Sequence, residues 1–411
     1  MVRIFTTIVL LLVSTLAYHR SAATAETAPP VADLPPLVEL PATLPESSLG
    51  TTLLPVDDQH KRPLTLIPEV QAALNNFIRE KGNPIAAVVI AEVKTGRILA
   101  LSQGRSPERW GGTTHTALHS GFPAASLFKT VVTAAAFEFA DLDSSAPIGL
   151  VGGCSHVQPT GSWMRDDKPF GRNAMTLKRA YGHSCNGFFA KIAVNHIGLG
   201  AILTMARRFG WDPEMARSLA DFKVNVSPLH APNPETSSAY TVGRFAAGFG
   251  NVGLSPLHAA WQGLVVADDG IAKPLKIFDD SPDWTAPKNT DSGRVISVET
   301  ARRIRQVMDA TIMGGTASSA FRNHKYAKFR LDMGGKTGTL KGTNPVGLTT
   351  WFSGIYPLDH PEIVVSSVVM LEDLWLFKAP TLAAEAVHAY LEFKRKTQTL
   401  TTASVAKKPK S

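Results

Sequence analysis

A chain of 411 residues, 44% hydrophobic and 18% charged, can bury a substantial core, which excludes an intrinsically disordered protein. Length alone allows about two or three domains, but the pattern below reads as one large domain with tails. The net charge of +8 favours anionic partners such as cell-wall polymer or lipid headgroups, and no Lys/Arg cluster interleaved with aromatics points to nucleic acid.

Residues 1–25 read as a signal peptide or N-terminal anchor. Met1-Val2-Arg3 gives a basic start, Ile4 to Ala17 a mostly apolar middle, and Ala23-Thr24-Ala25 a small-residue cleavage site. The apolar run falls short of the ~20 residues that cross a bilayer. The expected location is the periplasm or the outer face of the cytoplasmic membrane, a compartment that excludes nucleic acid as a partner. Removal of this segment takes away Arg3 and Arg20 and no acidic residue, lowering the net charge from +8 to about +6. Residues 26–64 carry eight prolines between Glu26 and Pro63 without sustained periodicity, and read as a Pro-rich tether.

The main domain is expected over residues 65–395. A helical pattern at Pro68–Glu80 precedes Ile85–Ala91, an apolar run suited to a central strand. Lys94-Thr95-Gly96 then separates it from a second run, Ile98–Leu101, which predicts a β-hairpin with Gly96 at a positive-φ turn position. Helices are expected at Ser126–Phe139, Thr176–Tyr181, Asn186–Ile197 and Ala201–Phe209, with Gly198 and Gly210 as C-terminal caps. The polar loop Gly152–Arg172 matches no pattern. Strands return at Leu348–Ile355 and Ile363–Leu371, and a last helix spans about Thr381–Lys396. Residues 396–411 read as a basic disordered tail. The order of elements gives an α/β fold whose sheet is assembled from distant parts of the chain. Cys154 and Cys185 either pair or remain isolated thiols, and neither has metal-ligand spacing.

Three short stretches carry chemistry. In Ser126-Leu127-Phe128-Lys129 a spacing of three on a helix puts a hydroxyl and an amine on one face, within reach of proton exchange. S-x-x-K alone is weak, since Ser404-Val405-Ala406-Lys407 repeats it by chance. Ser184-Cys185-Asn186 offers a second hydroxyl and a carboxamide, and either residue would also serve as a helix N-cap. Lys336-Thr337-Gly338-Thr339 supplies a fixed cation, hydroxyls to grip a carboxylate, and a glycine that lets a ligand backbone approach.

Taken in order, S-x-x-K, S-x-N and K-T-G-T resemble the motifs of the penicillin-binding transpeptidase domain family, which class A β-lactamases share. The 94–96 copy precedes the nucleophile and fills no place in that order. The resemblance extends over about residues 65–395, including Ala86–Ser102, Ser184–Gly210, Gly248–Pro274 and Gly314–Ala317. No glycosyltransferase-like region or N-terminal pedestal is read ahead of the domain.

The resemblance implies a central antiparallel sheet with flanking helices and an all-helical subdomain. It also implies a serine D,D-transpeptidase acting on D-Ala-D-Ala stem peptides of peptidoglycan, with β-lactams as inhibitors and no metal or organic cofactor. Ser126 is then the nucleophile, Lys129 its base, Ser184 the proton relay and Asn186 a partner of the substrate backbone. Lys336, Thr337, Gly338 and Thr339 form the carboxylate-binding strand, and a wall-synthesis protein complex is a possible partner. The alternatives are a D,D-carboxypeptidase with the same residues, a serine β-lactamase, and a catalytically idle scaffold. For the β-lactamase, Glu214 is the nearest carboxylate but lacks the E-x-x-L-N context.

Overall fold

A computed structural model describes residues 37–41, 43–45, 51–106, 115–165, 171–213, 219–285, 293–343, 346–371 and 377–406. The first elements are a short hairpin, β1 (Leu53–Pro55) and β2 (Lys61–Pro63), then α1 (Pro68–Glu80), β3 (Ile85–Glu92) and β4 (Ile98–Gln103). β5 (Phe122–Pro123) leads into α2 (Phe128–Ala140), followed by α3 (Leu177–Gly182), α4 (Asn186–Ile192) and α5 (Leu199–Arg208). Next come β6 (Leu229–His230), α6 (Ala239–Ala246), β7 (Asn251–Leu254) and α7 (Pro256–Ala267). The chain then forms α8 (Val298–Met313), α9 (Ser318–Phe321), β8 (Gly334–Thr343), β9 (Val346–Tyr356), β10 (Ile363–Leu371) and α10 (Ala379–Ala406).

The apolar run 85–91 explains the layering. β3 sits inside a five-stranded antiparallel sheet of order β4-β3-β10-β9-β8, with Ile85 opposite Met370 and Glu92 opposite Ile363. Side chains alternate between faces. Ile85, Ala87, Val89 and Ala91 enter one core, which includes residues of α2, α4, α5 and α7. Ala86, Val88 and Ile90 enter the other, beneath α1 and α10. A strand buried on both faces needs apolar residues at every position, which is why this one reads as a continuous run. α7 is buried all round, as the helix between the sheet and the helical region must be.

The expected hairpin forms, with Gly96 at φ +75° and its amide donating to Glu92 O at 2.9 Å. Gly198 and Gly210 likewise take positive φ at the ends of their helices.

Two boundary expectations are corrected. The tether is not free throughout: from Leu37 onward the chain belongs to the compact unit. Leu40, Leu54 and Leu64 are buried in its core, and Arg62 lies over the Phe278 ring at 3.9 Å while pairing with Asp280. Prolines masked these anchors, because widely spaced leucines leave no period to detect. At the other end α10 runs to Ala406, ten residues beyond the expected stop at Lys396. Val387 and Tyr390 anchor its base in the core, and Thr397 and Thr399 donate side-chain hydrogen bonds to the carbonyls of Phe393 and Arg395. A polar composition therefore suits an exposed helix as well as a disordered tail.

Candidate active site

Ser126 sits in a 3₁₀ turn, Ala125–Leu127, that feeds directly into α2, so its hydroxyl stands at the positive end of that helix. The turn is strained, since Ala125 has φ +49°. It persists because its surroundings hold it. Trp351 Nε1 donates to Pro123 O at 2.8 Å and Ala124 N to Val252 O at 2.8 Å. Gly248 lies so close below that a Cβ there would stand 2.1 Å from Ala125 O.

One turn on, Lys129 is fully buried and its Nζ has three hydrogen-bond partners: Ser126 Oγ at 2.6 Å, Asn186 Oδ1 at 2.8 Å and Ala247 O at 2.7 Å. Burial, aided by the positive charge of Lys336, holds this amine well below the usual lysine range. A neutral amine keeps two N–H donors for Asn186 and the Ala247 carbonyl and turns its lone pair toward Ser126. The hydroxyl then donates to nitrogen, the arrangement of a base poised on its nucleophile.

The S-x-N stretch joins α3 to α4. Ser184 takes φ +56°, and Asn186 is the first residue of α4. The N-cap is Cys185 and makes no side-chain cap, so neither Ser184 nor Asn186 is spent on capping. Cys185 is bonded to Cys154, which resolves the cysteine alternative in favour of a disulfide.

Lys336, Thr337, Gly338 and Thr339 lie on β8, the edge strand that packs against the Ser126 turn. Lys336 is 1% exposed, its Nζ donating to Thr337 O at 2.9 Å and lying 5.5 Å from the Tyr181 ring centre. Burial pushes its pKa down to about 7. Thr337 Oγ1 is hydrogen-bonded to Thr316 Oγ1, and Thr316 in turn donates its amide to Gly182 O at 3.1 Å. A Cβ on Gly338 would meet Trp351 Cβ at 3.2 Å, so part of this glycine's role is the close seating of β8.

A cavity of about 250 Å³ gathers Ser126, Ser184, Asn186, Thr337, Gly338 and Thr339 on one wall set. The two motif lysines do not line it: Lys129 and Lys336 are buried behind the wall. Gly248, Trp351, Lys378 and the Ala247 carbonyl belong to the site although no motif announced them. Thr316 falls within the 314–317 segment and Gly248 opens the 248–274 segment of the resemblance. The cluster Ala246-Ala247-Gly248-Phe249-Gly250 was the available signal for Gly248 and the Ala247 carbonyl. Among the described residues lining the cavity none is Asp or Glu, and Glu214 lies outside the described residues.

The model of the penicillin binding protein transpeptidase domain matches residues 86–392. The peptidoglycan D,D-transpeptidase PbpA of Mycobacterium tuberculosis (strain ATCC 25618 / H37Rv) is 26% identical over 343 residues, covering 74% of this chain and 66% of the relative. The chain thus spans just under two thirds of that relative's length. Among solved structures, the D,D-transpeptidase domain of a peptidoglycan glycosyltransferase from Eggerthella lenta superposes with a TM-score of 0.63 at 21% identity, covering 80% of this chain and 82% of that one. The penicillin G acyl-enzyme complex of penicillin-binding protein A from M. tuberculosis gives a TM-score of 0.56 at 23% identity, covering 80% and 79%. By the span of the matched domain, the chain belongs to the penicillin-binding protein transpeptidase domain family.

Proposed function

We propose that this chain is a peptidoglycan D,D-transpeptidase. The observation that carries the reading is the 2.6 Å contact between Ser126 Oγ and a buried, pKa-depressed Lys129 Nζ at the edge of a cavity floored by β8. Ser126 attacks the carbonyl of the penultimate D-alanine in a D-Ala-D-Ala stem peptide while its proton passes to Lys129. Backbone N–H groups of Ser126 and Thr339 receive the oxyanion, a type of contact whose loss costs about 10²–10³ in rate. Ser184 returns the proton to the leaving D-alanine, and Asn186 holds the substrate backbone. Thr337 and Thr339 grip the terminal carboxylate, with Lys336 supplying positive charge from behind them.

The acyl-enzyme is then resolved by a neighbouring stem amine, giving a cross-link. The absence of a carboxylate among the described lining residues supports slow attack by water, and hence a long-lived adduct with β-lactams. The basic start, apolar run and small-residue site of residues 1–25, followed by a Pro-rich stretch, support action at the outer face of the cytoplasmic membrane or in the periplasm, where a wall-synthesis complex would recruit the protein.

The test is intact-mass spectrometry of the protein with benzylpenicillin over hours, repeated with Ser126→Ala. A stable adduct lost in the variant is expected. Rapid loss of the adduct with release of hydrolysed drug would indicate a β-lactamase, and no adduct at all would indicate a scaffold. D-alanine release with and without an acceptor amine separates cross-linking from carboxypeptidase action.

A further inference from the structure

The polar stretch that begins at Gly152, unread in the sequence, belongs to a segment, 148–165, that lines no part of the cavity, yet it is tied to the S-x-N region at every level. At its base Ile148 exchanges backbone hydrogen bonds with Met175 at 2.8 and 3.0 Å. Fully buried Lys191, on α4, donates to Gly149 O at 2.8 Å and to Arg165 O at 2.7 Å, gripping both ends of the segment. The Gly187 amide donates to Cys154 O at 2.7 Å, and a Cβ on Gly187 would stand 2.6 Å from Gly153 O, so segment and helix touch backbone to backbone. Trp163 is 2% exposed, and a Cβ on Gly243 of α6 would meet its ring at 2.7 Å. The covalent tie is Cys154–Cys185, and Cys185 is the middle residue of Ser184-Cys185-Asn186.

Both neighbours of Cys185 need such support. Ser184 holds a left-handed backbone that a residue other than glycine keeps only when its surroundings over-determine it. Asn186 must keep its Oδ1 on Lys129 Nζ. We propose that segment 148–165 is a positioning strap for Ser184 and Asn186, and that the Cys154–Cys185 bond is a redox-openable tie whose reduction by a dithiol slows acylation of Ser126. The inference rests on the acyl-transfer reading above. Chemically, one thiolate of the dithiol attacks Sγ of half-buried Cys154, the S–S bond breaks, and Cys185 leaves as thiolate and takes a proton. The second thiol of the reagent then attacks its own sulfur in the mixed disulfide and releases Cys154 as a thiol. The dithiol loses two electrons and two protons, and the protein gains them.

The experiment compares the oxidised full-length protein with the same sample after treatment with dithiothreitol and anaerobic gel filtration. Mass spectrometry counts the thiols, and a fluorescent penicillin resolves binding from the acylation rate constant. Expected is a fall of about 10–10²-fold in the rate constant, the scale of a roughly 1 Å misplacement of a catalytic group, with a smaller change in penicillin binding before acylation. Reoxidation should restore the rate. Cys154→Ser combined with Cys185→Ser should show the slow rate with no response to the dithiol, and if that variant does not fold the native reduction still decides. Two free thiols with an unchanged rate would overturn the proposal, as would a bond that the dithiol cannot open in the folded protein. If neither form acylates, the acyl-transfer reading has failed, and amide exchange at Gly187 judges the strap by itself. Faster exchange on reduction supports it, and equal exchange overturns it.

Discussion

The tripeptide Lys-Thr-Gly occurs at 94–96 and at 336–338, and the two copies fold into different things. At 94–96 it is a hairpin turn: Lys94 is exposed, Thr95 donates its hydroxyl to Glu92, and Gly96 takes φ +75° with its missing Cβ 2.6 Å from Pro274 O. At 336–338 it is an extended edge strand with a buried lysine, a threonine bonded to Thr316 and a glycine pressed on Trp351. In the first copy glycine carries the conformation and the lysine side chain lies exposed. In the second lysine carries the charge and glycine the close approach. Identical letters thus acquire opposite divisions of labour, because side-chain roles follow the backbone state and the burial that surround them.

The sharpest break of that comparison is to remove each lysine. Lys336→Met should lower the acylation rate by about 10²–10³, the scale of losing one preorganised electrostatic contact. Lys94→Met should leave it within about twofold, as an exposed substitution away from the site does. Equal losses from both, measured with a fluorescent penicillin, would show that the turn copy also serves the chemistry.

pH offers the next distinction. With its pKa near 7, Lys336 loses its charge above that value in the free enzyme, so acylation efficiency toward a carboxylate-bearing β-lactam should fall along a high-pH limb starting at about 7. The limb should vanish in Lys336→Arg, whose guanidinium stays protonated, and persist in Lys94→Arg.

Glycine substitutions should invert the pattern. Gly96→Ala is expected to cost about 1–3 kcal/mol of stability through its positive φ and the Pro274 clash, with acylation per folded molecule unchanged. Gly338→Ala should do the reverse, slowing acylation more than it lowers the melting temperature, since its extended backbone accepts a Cβ and only the seat against Trp351 tightens. Thermal melts read beside acylation rates decide both.

A further distinction is a drift of stability with pH. The pKa of Lys336 falls from 10.5 in the unfolded chain to about 7 in the fold, so between those values the unfolded state binds more protons and stability rises with pH. Denaturation midpoints of the native protein should therefore climb from pH 7 toward 10. Lys336→Met should climb less and start higher at pH 7, whereas Lys94→Met should follow the native curve.

Much of the site is legible in the amino-acid sequence. A spacing of three on a helix fixes Ser126 beside Lys129 whatever the rest of the chain does. Ser184 and Asn186 are harder, because capping uses the same residue types, and only the fold shows that the carboxamide is taken by Lys129. Lys336 reads as a positive charge for a carboxylate, but its burial behind the cavity wall is a matter of a few ångströms that no spacing encodes. The strap around Cys154 is illegible because its anchors are carbonyl oxygens and glycines, which carry no side-chain signature.

What the sequence by itself determined is therefore local: the two-faced apolar strand at Ile85–Ala91, the turn at Gly96, the Ser126–Lys129 pair and the order of the three motifs. These follow from periodicity and short-range geometry, which need no partner from elsewhere in the chain. The tertiary structure alone decided the depressed lysine pKa values, the Ala247 carbonyl on Lys129, the Gly248 seat under the Ser126 turn, and the docking of residues from Leu37 onward. Each of these depends on surfaces brought together across long stretches of chain, where burial sets the energy of a charge and close packing sets which backbone atoms touch.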